Sequence, residues 1–180
     1  MAAIGTRLRY GAVAQFFHWA TAILVVAAFV YGPGGSEQRV YSAASDFDRQ
    51  LHETLGLTVF AIALTRLAWR AFDARPDDPP MPTWMRLSSK VVQVTMYALL
   101  LLIPLTAISG AWLEGHPLTF FGNVRIGPLL AEAHSTGSEI ASIHTWLGDT
   151  ILWVAGVHAA AGLYHHFVLR DGVLRSMLPG

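Results

Sequence analysis

The chain has no cysteine and little charge: Asp, Glu, Lys and Arg make up 13% of its 180 residues. Without thiols there are no disulfides, no thiolate-held iron–sulfur clusters and no covalent haem attachment through a CxxCH motif. A soluble domain of this length carries about 25% charge. The scarcity therefore points to lipid as the solvent, and a mean hydropathy of +0.44 agrees. The sequence also lacks internal repeats and low-complexity tracts. A single membrane domain over residues 1–180 is the simplest reading.

Four apolar runs are present, at about residues 11–31, 50–71, 91–113 and 143–169. Each is long enough to cross a bilayer as a helix. The first follows Arg7 and Arg9 and has the basic start of a signal peptide. Its length, its histidine and the lack of a small-x-small cleavage site favour a retained helix. The second run is the weakest, with Arg66 near its far end, where the side chain can snorkel to the interface. Pro76, Pro79, Pro80 and Pro82 break the chain before the third run, and Pro104 predicts a kink inside it. Residues 114–142 read as a long loop whose short apolar pieces lie at the membrane interface. The expected fold is all-α: a transmembrane antiparallel four-helix bundle.

Charge sets the expected orientation. With the N-terminus inside, nine basic residues fall in inner segments, and only Arg39, Arg49 and Arg125 fall outside. Four acids are inside and eight outside, so the inner face sums to +5 and the outer to −5. Both termini are expected in the cytoplasm.

The histidines carry the chemistry. His144 and His158 lie on one face of the last run, about 21 Å apart along a helix axis. A polar stripe within a membrane helix is costly, so it faces the bundle interior and marks function. By depth, His18 pairs with His158 in the inner leaflet, and His52 pairs with His144 at the outer surface. Each of the four has a small residue one turn later: Ala22, Gly56, Gly148 and Gly162. A porphyrin bound edge-on to a helical histidine approaches the backbone, and a missing side chain there leaves room. His116, His165 and His166 have bulky residues at that position, and His134 reads as a loop residue. The competing readings are plain. A single membrane histidine is often a packing residue, and Gly and Ala are common helix-packing points. Zinc or copper would favour tighter clusters of three or four ligands. Two separated imidazole pairs fit two bis-imidazole haems better. Such haems have no open position for O₂, so the chemistry is electron transfer.

The segments Phe17-His18-Trp19, Leu51-His52-Glu53-Thr54-Leu55-Gly56, His144-Thr145-Trp146-Leu147-Gly148 and Gly156 to Phe167 resemble the bacterial cytochrome b561 family. That group includes the cytochrome b subunits of nickel–iron hydrogenases. The resemblance covers nearly the whole chain. It implies a four-helix bundle in the bacterial cytoplasmic membrane, with two haem b groups on His18, His52, His144 and His158. The compact length is similar to stand-alone members, some of which resemble superoxide oxidase. They oxidise superoxide outside and reduce ubiquinone near the inner haem. On that reading Arg39, Arg49 and Arg125 are candidates for guiding superoxide. His165 and Arg175, with Arg7 and Arg9 close by depth, are candidates for the quinone site. The alternative is a cytochrome b linking the quinone pool to a periplasmic redox protein. Expected partners are lipid, quinone, and superoxide or that protein; nucleic acid is not among them.

Overall fold

The computed structural model describes residues 9–72, 76 and 80–178. Four long helices make the body: α1 (Ala12–Val30), α3 (Asp46–Arg70), α4 (Thr83–Leu113) and α5 (His134–Tyr164). A short α2 (Glu37–Val40) lies between α1 and α3. A two-stranded antiparallel hairpin, β1 (Leu118–Phe120) and β2 (Val124–Ile126), joins α4 to α5. After α5 comes a π-helical turn, His165–Leu169, and then a short α6 (Val173–Ser176). The fold is the expected mostly helical bundle, and all four long helices are apolar enough to span a membrane.

Several boundaries differ from the apolar runs. α4 starts at Thr83, eight residues before the expected 91, directly behind extended Pro82. Pro82, with its φ fixed and no N–H to donate, sits just before the first turn, and Arg86, Ser88, Ser89 and Lys90 lie in the added turns ahead of the apolar run. α5 begins at His134, so His134 opens a helix and is not a loop residue. Apolar composition marks the part of a helix that lipid touches, whereas backbone hydrogen bonding carries the helix beyond it. The hairpin is anchored to α3: the Thr119 N–H donates to Glu53 Oε2 at 2.6 Å, and the Phe121 N–H donates to Thr54 Oγ1 at 3.0 Å. Leu118 and Thr119 are buried by this docking, while Phe121 stays exposed.

α1 packs mainly on α3, and α4 on α5. Val59 and Ala63 of α3, Leu99 and Leu100 of α4, and Ile151 of α5 form the core where the two pairs meet. Large apolar side chains such as Phe16 and Trp153 point outward, as lipid-facing surfaces require. Lipid is as apolar as leucine, so close packing associates the helices rather than water exclusion. Gly110 and Gly137 show this. A Cβ on Gly110 would stand 3.3 Å from the Ala141 backbone nitrogen, and one on Gly137 would stand 3.2 Å from the Gly110 carbonyl oxygen. These two glycines let α4 and α5 touch. Membrane-buried hydroxyls are satisfied locally, as when Thr21 Oγ1 donates to the Phe17 carbonyl.

Candidate functional site

α1 and α5 bring His18 and His158 together, with ring centroids 6.2 Å apart. α3 and α5 bring His52 and His144 together at 6.0 Å. An imidazole–metal bond of about 2 Å on each side, plus about 1 Å from each nitrogen to its ring centre, calls for a separation of about 6 Å. Both pairs have it. Each pair supplies two nitrogen donors and no thiolate or carboxylate, and among the described residues no cluster of three metal-binding side chains exists.

In the His52–His144 pair both rings are held through Nδ1. The last carbonyls of a helix have no partner within it. In α1 the Tyr31 N–H takes the Ala27 carbonyl and the Gly32 N–H takes that of Phe29. The Ala28 carbonyl lies between them and accepts from His52 Nδ1 at 2.7 Å. The Ile103 carbonyl of α4 accepts from His144 Nδ1 at 2.9 Å. A proton held on Nδ1 leaves Nε2 bare, and the second hydrogen bond fixes the ring plane. An apolar cavity adjoins these rings, walled by side chains such as Leu57, Leu100, Ile103 and Ile151. Gly56 and Gly148 line it, and a Cβ on either would meet nothing within 4 Å. They therefore do not serve helix contact in the way that Gly110 and Gly137 do. They border open space beside the histidines.

The His18–His158 pair is held differently. The Arg66 guanidinium of α3 donates to His18 Nδ1 at 3.3 Å, the long end of a hydrogen bond. A ring accepting at Nδ1 keeps its proton on Nε2, so metal ligation by His18 requires that contact to open. Arg66 and Arg70 also lie over the Tyr97 ring. Beside Gly162 the nearest atom to an added Cβ is Leu174 Cδ1 at 3.9 Å, from the C-terminal segment.

The sequence profile of the prokaryotic cytochrome b561 family matches residues 9–180. The chain belongs to that family. Similarity to individual members extends end to end. Cytochrome b561 homolog 2 of Escherichia coli K12 is 26% identical over 181 residues, covering 99% of this chain and 95% of that protein. The protein called probable superoxide oxidase CybB of Yersinia pestis is 25% identical, covering 95% and 96%. Cytochrome b562 of Cereibacter sphaeroides is 27% identical, covering 89% of each. As a prokaryotic cytochrome b561, this is a multi-pass bacterial membrane protein of electron transfer, from a family that binds haem b.

The other sequence-selected residues of this cytochrome b561 fall in two places. Arg49 is not a free cation: it pairs with Asp46 at 2.5 Å and Glu53 at 2.8 Å, and only 12% of its side chain is exposed. Arg39 is on α2, and Arg125 is on β2 opposite Thr119. Around Arg49 the fold assembles a cluster that sequence reasoning missed. Its guanidinium lies 5.2 Å from the Tyr41 ring centre. Tyr41 stacks on His116 at 3.5 Å, and His116 Nε2 meets Glu37 at 2.8 Å. Burial, with Glu53 and Glu114 nearby, pushes the Tyr41 phenol well above its ordinary range, so it stays protonated. No spacing rule joins residues 37, 41, 49 and 116. At the end of the bundle nearer His18 and His158, His165 Nδ1 is paired with Asp171, another residue the sequence reading passed over. Arg175 is on α6, and the Tyr10 N–H bonds the Ser176 carbonyl, which makes neighbours of the segments holding Arg9 and Arg175. Arg7 lies outside the described residues.

Proposed function

We propose that the chain carries two b haems, one between His18 and His158 and one between His52 and His144, and conducts electrons across the bacterial cytoplasmic membrane. The observation that carries this is the two imidazole pairs, 6.2 and 6.0 Å between ring centres, at the two ends of one bundle. The excess of Arg and Lys in the segments next to both termini supports a cytoplasmic location for each. A haem with two imidazole ligands supplies one-electron transfer without binding O₂.

On the outer side, superoxide gives up one electron and leaves as O₂. On the inner side, ubiquinone takes two electrons and two protons to become the quinol, so one quinol needs two superoxides. The similarity to a protein named probable superoxide oxidase supports this donor. The chain's own parts set geometry. Ala28 and Ile103 orient the outer ligands, Gly56 and Gly148 keep space beside them, and His165 with Arg175 faces the quinone. The test is rapid mixing of superoxide with oxidised, haem-loaded protein and ubiquinone. Haem reduction at near-diffusional rates followed by quinol formation is expected. Haem that superoxide leaves oxidised would remove the donor assignment.

One observation favours a second reading. Steering of an anion needs a positive approach, yet Arg49 is neutralised by Asp46 and Glu53. An outer face with an excess of carboxylates suits a cationic periplasmic redox protein as the partner, and slow reduction by superoxide would select that reading.

A further inference from the structure

We infer that Asp171 is a positioning residue for His165, the two forming a carboxylate–imidazole dyad that hands protons to quinone at the inner end. The inference rests on the quinone reading above and adds the group that makes His165 a directed proton donor.

The fold goes out of its way to bring these two residues together. Had α5 continued as an α-helix, position 171 would lie about 120° around the axis from position 165 and about 9 Å along it. No contact between the side chains would result. Instead the helix widens into a π-helical turn over His165–Leu169, a feature that recurs at functional sites. Arg170 then adopts a left-handed conformation at φ 54°, and Gly172 another at φ 82°. A left-handed residue other than glycine is uncommon and costs energy. The result is a reversal that returns Asp171 beneath His165. One carboxylate oxygen takes His165 Nδ1, and the other accepts the Val173 N–H at 3.1 Å, so the carboxylate is held at both ends. The segment beyond is tied to α1. Ser176 O accepts from the Gln15 side chain at 3.2 Å, and Met177 O accepts from Trp19 Nε1 at 2.9 Å. The side chains of His165 and Asp171 are 12% and 19% exposed, which leaves the pair shielded yet reachable.

The chemistry follows from the polarity of that contact. Asp171 holds the proton on Nδ1, which directs exchange to Nε2. His165 is two helical turns past His158 on the same face, on the side from which electrons reach quinone. When the ring is protonated, Nε2–H gives its proton to a quinone carbonyl oxygen while an electron arrives through the inner site. The ring is left neutral, with Nδ1–H still on Asp171, and water on the cytoplasmic side reprotonates Nε2. Two such cycles supply the two protons that accompany two electrons from the outer donor. The carboxylate balances the ring's charge in each cycle and prevents it from rotating.

The experiment compares wild type, Asp171→Asn, Asp171→Glu and His165→Leu, each full length, in detergent and haem-loaded. Pre-reduced protein is mixed with ubiquinone-1, and haem reoxidation is followed to saturation in H₂O and D₂O. Ubiquinone-1 affinity is measured separately on the oxidised protein by quenching of tryptophan fluorescence. Asparagine can still accept the Val173 N–H, so Asp171→Asn keeps the turn but loses the charge. It is expected to lower the maximal rate about tenfold to a hundredfold, the usual cost of losing an orienting partner. The quinone affinity should stay the same and the solvent isotope effect should grow. Asp171→Glu should recover most of the rate. A wild-type maximal rate in Asp171→Asn, or Asp171→Glu as slow as Asp171→Asn, overturns the dyad. Should Asp171→Asn not accumulate, Asp171→Ser with added formate replaces it. Restoration of the rate by formate supports the dyad, and no restoration overturns it. The quinone reading fails separately, when His165→Leu neither weakens ubiquinone-1 binding nor slows reoxidation.

Discussion

Gly148 offers the sharpest test of whether the outer cavity holds a flat cofactor or is an incidental gap between helices. It stands one turn beyond His144, and an added Cβ meets no protein atom within 4 Å. In the bundle alone Gly148→Leu is harmless, and it removes the helix penalty of glycine, about 0.8–1 kcal/mol. With a porphyrin between His52 and His144, the same side chain enters the space that the macrocycle needs. Overpacking of this kind costs about 1–3 kcal/mol, which corresponds to about a fivefold to 150-fold loss in haem affinity. The assay is haem transfer from the outer site to apomyoglobin, read by absorbance, with haem stoichiometry from the pyridine haemochrome. Circular dichroism should show the helices intact. Gly110→Leu is the control. Its Cβ would press the Ala141 backbone at 3.3 Å, so it should destabilise the α4–α5 contact with or without haem. Two haems per chain and an unchanged transfer rate in Gly148→Leu would refute the reasoning.

His52→Ala and His144→Ala should each remove the same single haem, and His18→Ala and His158→Ala the other; loss of one haem by both His18→Ala and His52→Ala in redox-resolved spectra contradicts the pairing. If superoxide is the donor, Arg39→Glu and Arg125→Glu should slow haem reduction at low salt, with the difference fading as the Debye length shrinks below about 10 Å. Arg49→Glu should instead weaken folding, because it leaves Glu53 and Asp46 facing a third carboxylate. Burial, then the nearby Glu37, raises Glu114 above the ordinary carboxylate range. The folded state thus favours its neutral form and loses stability as pH rises through the raised value. Glu114→Gln should raise the thermal midpoint at pH 8, with the gain gone below about pH 4, where the carboxyl is protonated folded or unfolded.

The sequence by itself determined the solvent, the number of long helices and the pairing of histidines by depth. Each of these follows from one-dimensional rules: apolar length set by bilayer thickness, and helical periodicity that places His144 and His158 on one face. It also marked small residues beside the histidines, but it did not separate their roles. Gly148 stands one turn after His144 and Gly110 follows no histidine, yet only the packed bundle shows that Gly110 meets a neighbouring backbone and Gly148 faces open space. The same holds for charge. In sequence Arg49 is a candidate for guiding superoxide; its spacing from Asp46 and Glu53 allows helix ion pairs, and the folded helix closes both. His116 stacks on Tyr41 across 75 residues of chain, and the Ala28 carbonyl waits for His52 because α1 ends there. Asp171 reaches His165 only through a π-helical turn and two left-handed residues. Hydrogen-bond partners depend on where chain ends, reversals and neighbouring helices fall in space, and tertiary structure alone decides that.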